Sequence, residues 1–185
     1  MVADAQAPNV GGQERSSRSE QPRAMVASTE RASLIVFSGE LDKVIAAFVI
    51  ATGAAASGMD VFLFFTFWGM SALRKTRVKP RKSFIHRALG YILPQGIEQL
   101  PLSRFDMAGA GRKMIRSAMK KNGVASLEEL VALAGELGVR IQVCTMSMDL
   151  LGIQREELMD YPYLDFCGVA SFVESASRSK LSLFI

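Results

Sequence analysis

Cysteine and histidine are nearly missing from this chain: Cys144, Cys167 and a single histidine, His86, in 185 residues. The two cysteines lie 23 positions apart, with neither CxxC spacing nor a Cys/His cluster. That excludes a disulfide framework and a zinc centre, so no metal is expected. The strand-to-helix turns have no GxGxxG or P-loop spacing, and nothing in them points to a nucleotide or another cofactor. Long uncharged runs are missing as well. Residues 44–73 carry Asp60 as their only charge, but the uncharged pieces are 16 and 13 residues long. Each is short of the roughly 20 that a helix needs to cross a bilayer. Alanine, glycine and serine at 51–58 (ATGAAASG) instead suit a helix packed closely on a sheet. Residues 1–30 hold charges throughout and no apolar stretch of signal-peptide length, so the expected compartment is the cytoplasm.

What is present is an uneven charge pattern around an apolar frame, with 49% hydrophobic residues and a net charge of +4. Residues 74–121 hold thirteen basic residues against Glu98 and Asp106, a balance of +11, whereas residues 122–185 balance at −5. The first 30 residues are rich in Ala, Gln, Ser, Pro and Gly and have no face to bury, which predicts a disordered tail before a single domain over 31–185.

Apolar runs of strand length at 32–37 (ASLIVF) and 60–66 (DVFLFFT) flank a helical stretch at 40–57, which is the opening of a βαβ unit. A second helix is expected from 67 to 73. The basic segment 74–121 follows as an insertion, with an amphipathic helix at 83–93 (SFIHRALGYIL) and another at 112–121. The latter places Met114, Ile115, Ala118 and Met119 along one stripe. Ser126 and Glu129 form a capping box at the start of a helix that Gly138 closes. A third strand at 140–143 leads into Cys144, with the next helix starting at Ser147 or Met148. A short strand at 161–164, a helix opening at Cys167-Gly168 and a terminal strand at 181–185 complete the alternation. The expected fold is α/β: a three-layer sandwich on a mostly parallel sheet of about five strands.

In such sheets the strand C-termini form the ligand edge, and Cys144 lies there with a helix start behind it. Position alone leaves two readings open, a small buried hydrophobe or a thiol whose anionic form the helix terminus favours. Cys167 is the second thiol, read as core packing or as a partner for Cys144. Ser38, Asp42, Lys43 and Trp68 follow strands at the same edge and are candidate pocket walls, as are Ser147, Met146 and Met148 behind Cys144. His86 has no partner at a fixed spacing and reads as a packing or surface residue. The basic insertion has no nucleic-acid motif and its aromatics form no stacking platform, so no nucleic-acid partner is expected. Its basic and apolar mixture suits a peripheral membrane surface or an acidic partner, the alternative function for the chain.

The stretches VFSGELDKVIAAFVIATGAAASGMDVFLFFTFWG, KPRKSF, LPLSRFDMAGAG and VCTMSMDLLGI together resemble the DsrE/DsrF-like family, in the subgroup often labelled "peroxiredoxin family protein". The likeness covers about residues 32–185. It implies a flavodoxin-like fold, a homo-oligomer, and a cysteine, matching Cys144, that carries sulfane sulfur between a rhodanese-like donor and a TusA-like acceptor. A peroxidatic cysteine sits in a Pro-x-x-x-Thr/Ser-x-x-Cys pattern. Here Ile141 stands three residues before Cys144 and no proline precedes it nearby, so a thiol peroxidase is poorly supported. Residues 145–150 (TMSMDL) contain no Arg or Lys, unlike a rhodanese loop. The sequence therefore reads as a sulfur carrier in a cytoplasmic relay.

Overall fold

The structure, a computed structural model, describes residues 30–75 and 93–185. The expected tail, the helix at 83–93 and His86 lie outside the described residues or almost wholly so.

Five strands run parallel: β1 (Arg31–Val36), β2 (Asp60–Phe65), β3 (Arg140–Cys144), β4 (Leu164–Cys167) and β5 (Leu181–Phe184). Their spatial order is β4-β3-β2-β1-β5. The first four strands step across the sheet in one direction, and the last returns to pair with β1 on its far side. The sheet is therefore flavodoxin-like in having five parallel strands between helices, with the chain's last strand in the place beside β1.

Alternation along the strands divides the sheet into two unlike faces. Leu34, Val36, Leu63, Phe65, Ile141 and Val143 enter the main core. Over that face lies α1 (Leu41–Ala56), which buries Leu41, Val44, Ala47, Phe48, Ala51 and Thr52 as one helical stripe. Beside it lies α3 (Leu127–Glu136), where the Glu129 N–H donates to Ser126 Oγ at 3.2 Å and the Ser126 N–H donates to the Glu129 carboxylate at 2.7 Å. The opposite face is thinner. It carries Ser33, Phe62, Phe64, Gln142, Cys144, Asp165 and Cys167, and α5 (Val169–Ser177) crosses it on the way from β4 to β5. Arg31 and Arg140 stack over the Phe62 ring at 4.6 and 5.1 Å, closing the N-terminal end of that face.

Several sequence expectations are corrected here. Residues Phe67–Leu73 form a 3-10 turn of helix and not an α-helix. The helix after Cys144, α4 (Thr145–Leu151), starts two to three residues early. Cys144 itself occupies the N-cap position, without a side-chain bond, while the Thr145 and Ser147 hydroxyls bond to Cys167 and Thr66. The fourth strand begins at Leu164 and not at Tyr161. Pro162 has no N–H to give a ladder, and pairing starts beyond it. The apolar stripe on α2 (Ala110–Lys121) forms as expected, but Met114 and Ile115 are exposed. Arg74, the first residue of the basic segment, is buried. Among the described residues no helix is long and apolar enough to cross a membrane.

Two tight constraints hold the C-terminal edge of the sheet. A Cβ added at Gly69 would lie 2.2 Å from the Val36 carbonyl oxygen, and one at Gly39 would lie 2.4 Å from that of Trp68. The loops after β1 and β2 thus meet backbone to backbone, joined by the Gly69 N–H donating to the Phe37 carbonyl at 2.8 Å. Further along, Arg74 pairs with Glu157 at 3.0 Å with both side chains almost fully buried. The other Glu157 oxygen accepts from the Gln154 N–H at 2.8 Å. The Met159 N–H donating to the Leu73 carbonyl at 2.7 Å ties the same two segments through the backbone.

Gly69→Ala forces a methyl onto a carbonyl that has no room to retreat, and should cost about 2–3 kcal/mol in urea unfolding. A wild-type midpoint would refute that contact. Glu157→Ala takes away the buried carboxylate that faces the Arg74 guanidinium, with an expected loss of about 3–5 kcal/mol. Replacing both partners, as Arg74→Met with Glu157→Leu, should recover most of it. A double variant no better than Glu157→Ala would show that the pair is not the source.

Candidate functional site: two thiols in register

Cys144 is the last residue of β3 and the first before α4, and it is 0% exposed. Its neighbours form a small cluster separate from the main core: Phe64 and Phe172 buried, with Ile35, Cys167 and Ala176 packed against them. Phe64 from β2 and Phe172 from α5 stack with centroids 4.6 Å apart, and this aromatic pair walls the thiol off from water. The β3–β4 register places Cys167 directly opposite Cys144. Both are free thiols. Cys167 is partly exposed, because β4 is the edge strand while β3 lies inside the sheet.

Burial, reinforced by the neighbouring Cys144 and then Asp165, pushes the Cys167 thiol above its ordinary range. The Thr145 hydroxyl donates to the Cys167 carbonyl at 3.5 Å, linking the first residue of α4 to the end of β4. Ser147, fully buried, shares a 2.8 Å hydrogen bond with the Thr66 hydroxyl, which pins α4 to the end of β2. Gln142 lies two residues before Cys144 on the same face, and its Oε1 is buried without a hydrogen-bond partner among the described residues.

The other candidate wall residues are less closely gathered. Lys43 pairs with the Glu40 carboxylate at 2.5 Å, and Ser38 donates to it at 2.7 Å; the Lys43 bond and then the Ser38 bond hold the Glu40 carboxyl below its usual range. Asp42 accepts from the Ser103 N–H at 2.9 Å and from its hydroxyl. Burial works to raise the Asp42 carboxyl, but the two Ser103 bonds outweigh it and the net shift is downward. Asp42 and Lys43 stand on α1, across the sheet from the face that holds Cys144. Trp68 is 46% exposed at the strand edge. Met148 packs into the main core and Met146 is exposed, so the expected pair of methionines does not line the thiol together. Among the described residues no group of three or more Cys, His, Asp or Glu could hold a metal ion.

Thr66, Phe64, Phe172 and Gln142 are the site residues that sequence reasoning missed. Phe64 and Gln142 had a detectable signal, since period-2 alternation places Gln142 on the Cys144 face. The arrival of Phe172 depends on how α5 crosses the sheet, which no local pattern encodes.

Alkylation of the folded, reduced protein, read by peptide mass spectrometry, should modify Cys167 and leave Cys144 protected until denaturant is added. Because the Cys167 pKa is raised, its rate should be low at neutral pH and keep rising beyond the pH at which an ordinary thiol levels off. Equal labelling of the two cysteines would contradict the burial described here.

Among known families, the profile of the "DsrE/DsrF/DrsH-like family" matches residues 28–184. The uncharacterized protein YrkE of Bacillus subtilis is 43% identical over 162 residues, covering 87% of this chain and 100% of that protein. A protein of Allochromatium vinosum named "Sulfur carrier protein DsrE2" is 34% identical over 161 residues, 84% of this chain and 98% of that one. The solved ychN protein of E. coli covers 84% of this chain and 99% of its own, at 10% identity and a TM-score of 0.46. That last likeness is too slight to bear on the fold, which rests on the strand order. The family match over most of the chain, with relatives aligned along nearly their full lengths, places this protein in the DsrE/DsrF/DrsH-like family.

Proposed function

We propose that this protein carries sulfane sulfur as a persulfide on Cys144 within a sulfur relay. The reading rests on one observation above others: a reduced thiol at the C-terminal end of an interior parallel strand, wholly shielded by Phe64 and Phe172. A relative 34% identical over almost its entire length bears the name of a sulfur carrier, which supports the same reading. A persulfide is lost by attack of stray thiols or by hydrolysis, and an apolar, water-excluding cover slows both.

Loading is a thiol exchange. Over the whole exchange the outer sulfur of a donor persulfide becomes bonded to Cys144 Sγ, the donor's S–S bond breaks, and the donor is released as a thiolate. Unloading is the same step with an acceptor thiolate as nucleophile. Sulfur keeps its oxidation state throughout, so neither step calls for a cofactor. A rhodanese-like protein is the donor in this scheme and a TusA-like protein the acceptor, in the cytoplasm, with the carrier working as a homo-oligomer.

The test is peptide mass spectrometry after incubation of the reduced protein with inorganic polysulfide. The Cys144 peptide should gain the mass of sulfur in a form that a thiol reductant removes, and Cys144→Ser should keep far less sulfur than the wild type once the polysulfide is removed and the protein stands in buffer. Sulfur held as durably by Cys144→Ser as by the wild type would sink the assignment.

A further inference from the structure

Cys144 is placed to keep sulfur and badly placed to receive it. It is 0% exposed, on an interior strand, beneath an aromatic stack. A donor thiol on another molecule cannot align with that sulfur unless α5 lifts away. Cys167 differs on each count: it is partly exposed, it stands on the edge strand, and it is the residue directly opposite Cys144 in the β3–β4 ladder. Paired residues on neighbouring strands are about 4.8 Å apart and point to one face. That separation is within the Cα range of bridged cysteines, and an S–S bond spans about 2 Å. A sulfur atom attached to one Sγ therefore covers much of the gap to the other.

We propose that Cys167 is the exchange thiol through which sulfane sulfur passes between an external persulfide and the buried Cys144; this deepens the carrier reading and rests on it. In the first step the Cys167 thiolate attacks the outer sulfur of the donor persulfide. The Sγ–S bond forms at Cys167, the donor's S–S bond breaks, and the donor departs as a thiolate that takes up a proton. In the second step the Cys144 thiolate attacks that same outer sulfur. The bond to Cys144 Sγ forms as the bond to Cys167 Sγ breaks, and Cys167 leaves as the thiolate, recovering the proton that Cys144 gave up. No electrons enter or leave, so no oxidant or reductant is consumed. The Thr145 hydroxyl on the Cys167 carbonyl holds the two strand ends together where the hop occurs. The raised Cys167 thiol keeps this outer position mostly protonated at neutral pH, which makes it slow toward incidental oxidants while exchange proceeds through its thiolate fraction.

The experiment uses the reduced full chain and glutathione persulfide as donor. Samples are quenched by alkylation at successive times, and sulfur on each cysteine peptide is measured. In the wild type, sulfur should appear on Cys167 before Cys144. Cys144→Ser should hold sulfur on Cys167, and Cys167→Ser should load Cys144 at least about tenfold more slowly. Cys167→Ala provides a second variant should the serine perturb the packing, with far-UV circular dichroism as the fold control. Loading of Cys144 at the wild-type rate in both Cys167 variants overturns the exchange step while leaving the carrier reading intact. Sulfur that never reaches Cys144 in the wild type overturns the carrier reading as well.

Discussion

Parallel strands cannot be joined by hairpins, so after each of the first four strands this chain must return across a face of the sheet before it can pair again. All five strands consequently end at the same edge, and what lies at that edge is decided by pairing register. Between β3 and β4 the register is fixed at both ends. The Ile141 N–H donates to the Tyr163 carbonyl at 2.8 Å at the start of the pairing, and Thr145 donates to the Cys167 carbonyl at its end. A slip of one residue would set Cys167 against Val143 and turn it to the other face, away from Cys144. The thiol pair is thus a property of the ladder more than of either cysteine.

The edge is stiffened by contacts that have no sulfur chemistry of their own. Gly39 and Gly69 let the loops after β1 and β2 touch through their backbones, which holds Thr66 where it meets Ser147 and so sets the start of α4. The buried Arg74–Glu157 pair fastens the end of the turn after β2 to the segment leading into β4. Lys75 to Asp160 at 2.8 Å continues the same seam at the surface, where it contributes little. With two sides of the approach to β4 fixed, the strand has little freedom to slide. Among the described residues the face that holds the thiols is thin by comparison, covered by one helix of nine residues. A thin cover suits a buried sulfur that must exchange with a neighbour. The main core on the other face supplies the stability.

Much of this fold was legible from local pattern. β1 and β2 read as apolar runs because parallel strands are buried on both faces, α1 from its helical composition and the small residues at 51–58, and α3 from Ser126 and Glu129. The position of Cys144 at a strand end was legible in the same way. The fourth strand was misplaced because Tyr161 and Tyr163 carry β-forming side chains on either side of a proline that cannot pair. The start of α4 was misplaced because hydroxyls that resemble caps are consumed by tertiary bonds to Thr66 and Cys167. Met146 and Met148 were grouped by sequence proximity, and the helix sends one to solvent and the other to the core.

The amino-acid sequence by itself determined the alternation of strand and helix, the sheet edge on which Cys144 sits, and the absence of metal-ligand spacing, because each follows from periodicity and residue type over a few neighbours. Only the tertiary structure decided that Arg74 is buried against Glu157, that Phe172 closes over the thiol, and that Cys167 stands opposite Cys144. Those three depend on pairing between segments 23 to 108 residues apart. Long-range pairing of this kind is fixed by how whole faces fit and by which backbone groups remain to be satisfied, and neither is written in any local stretch of the chain.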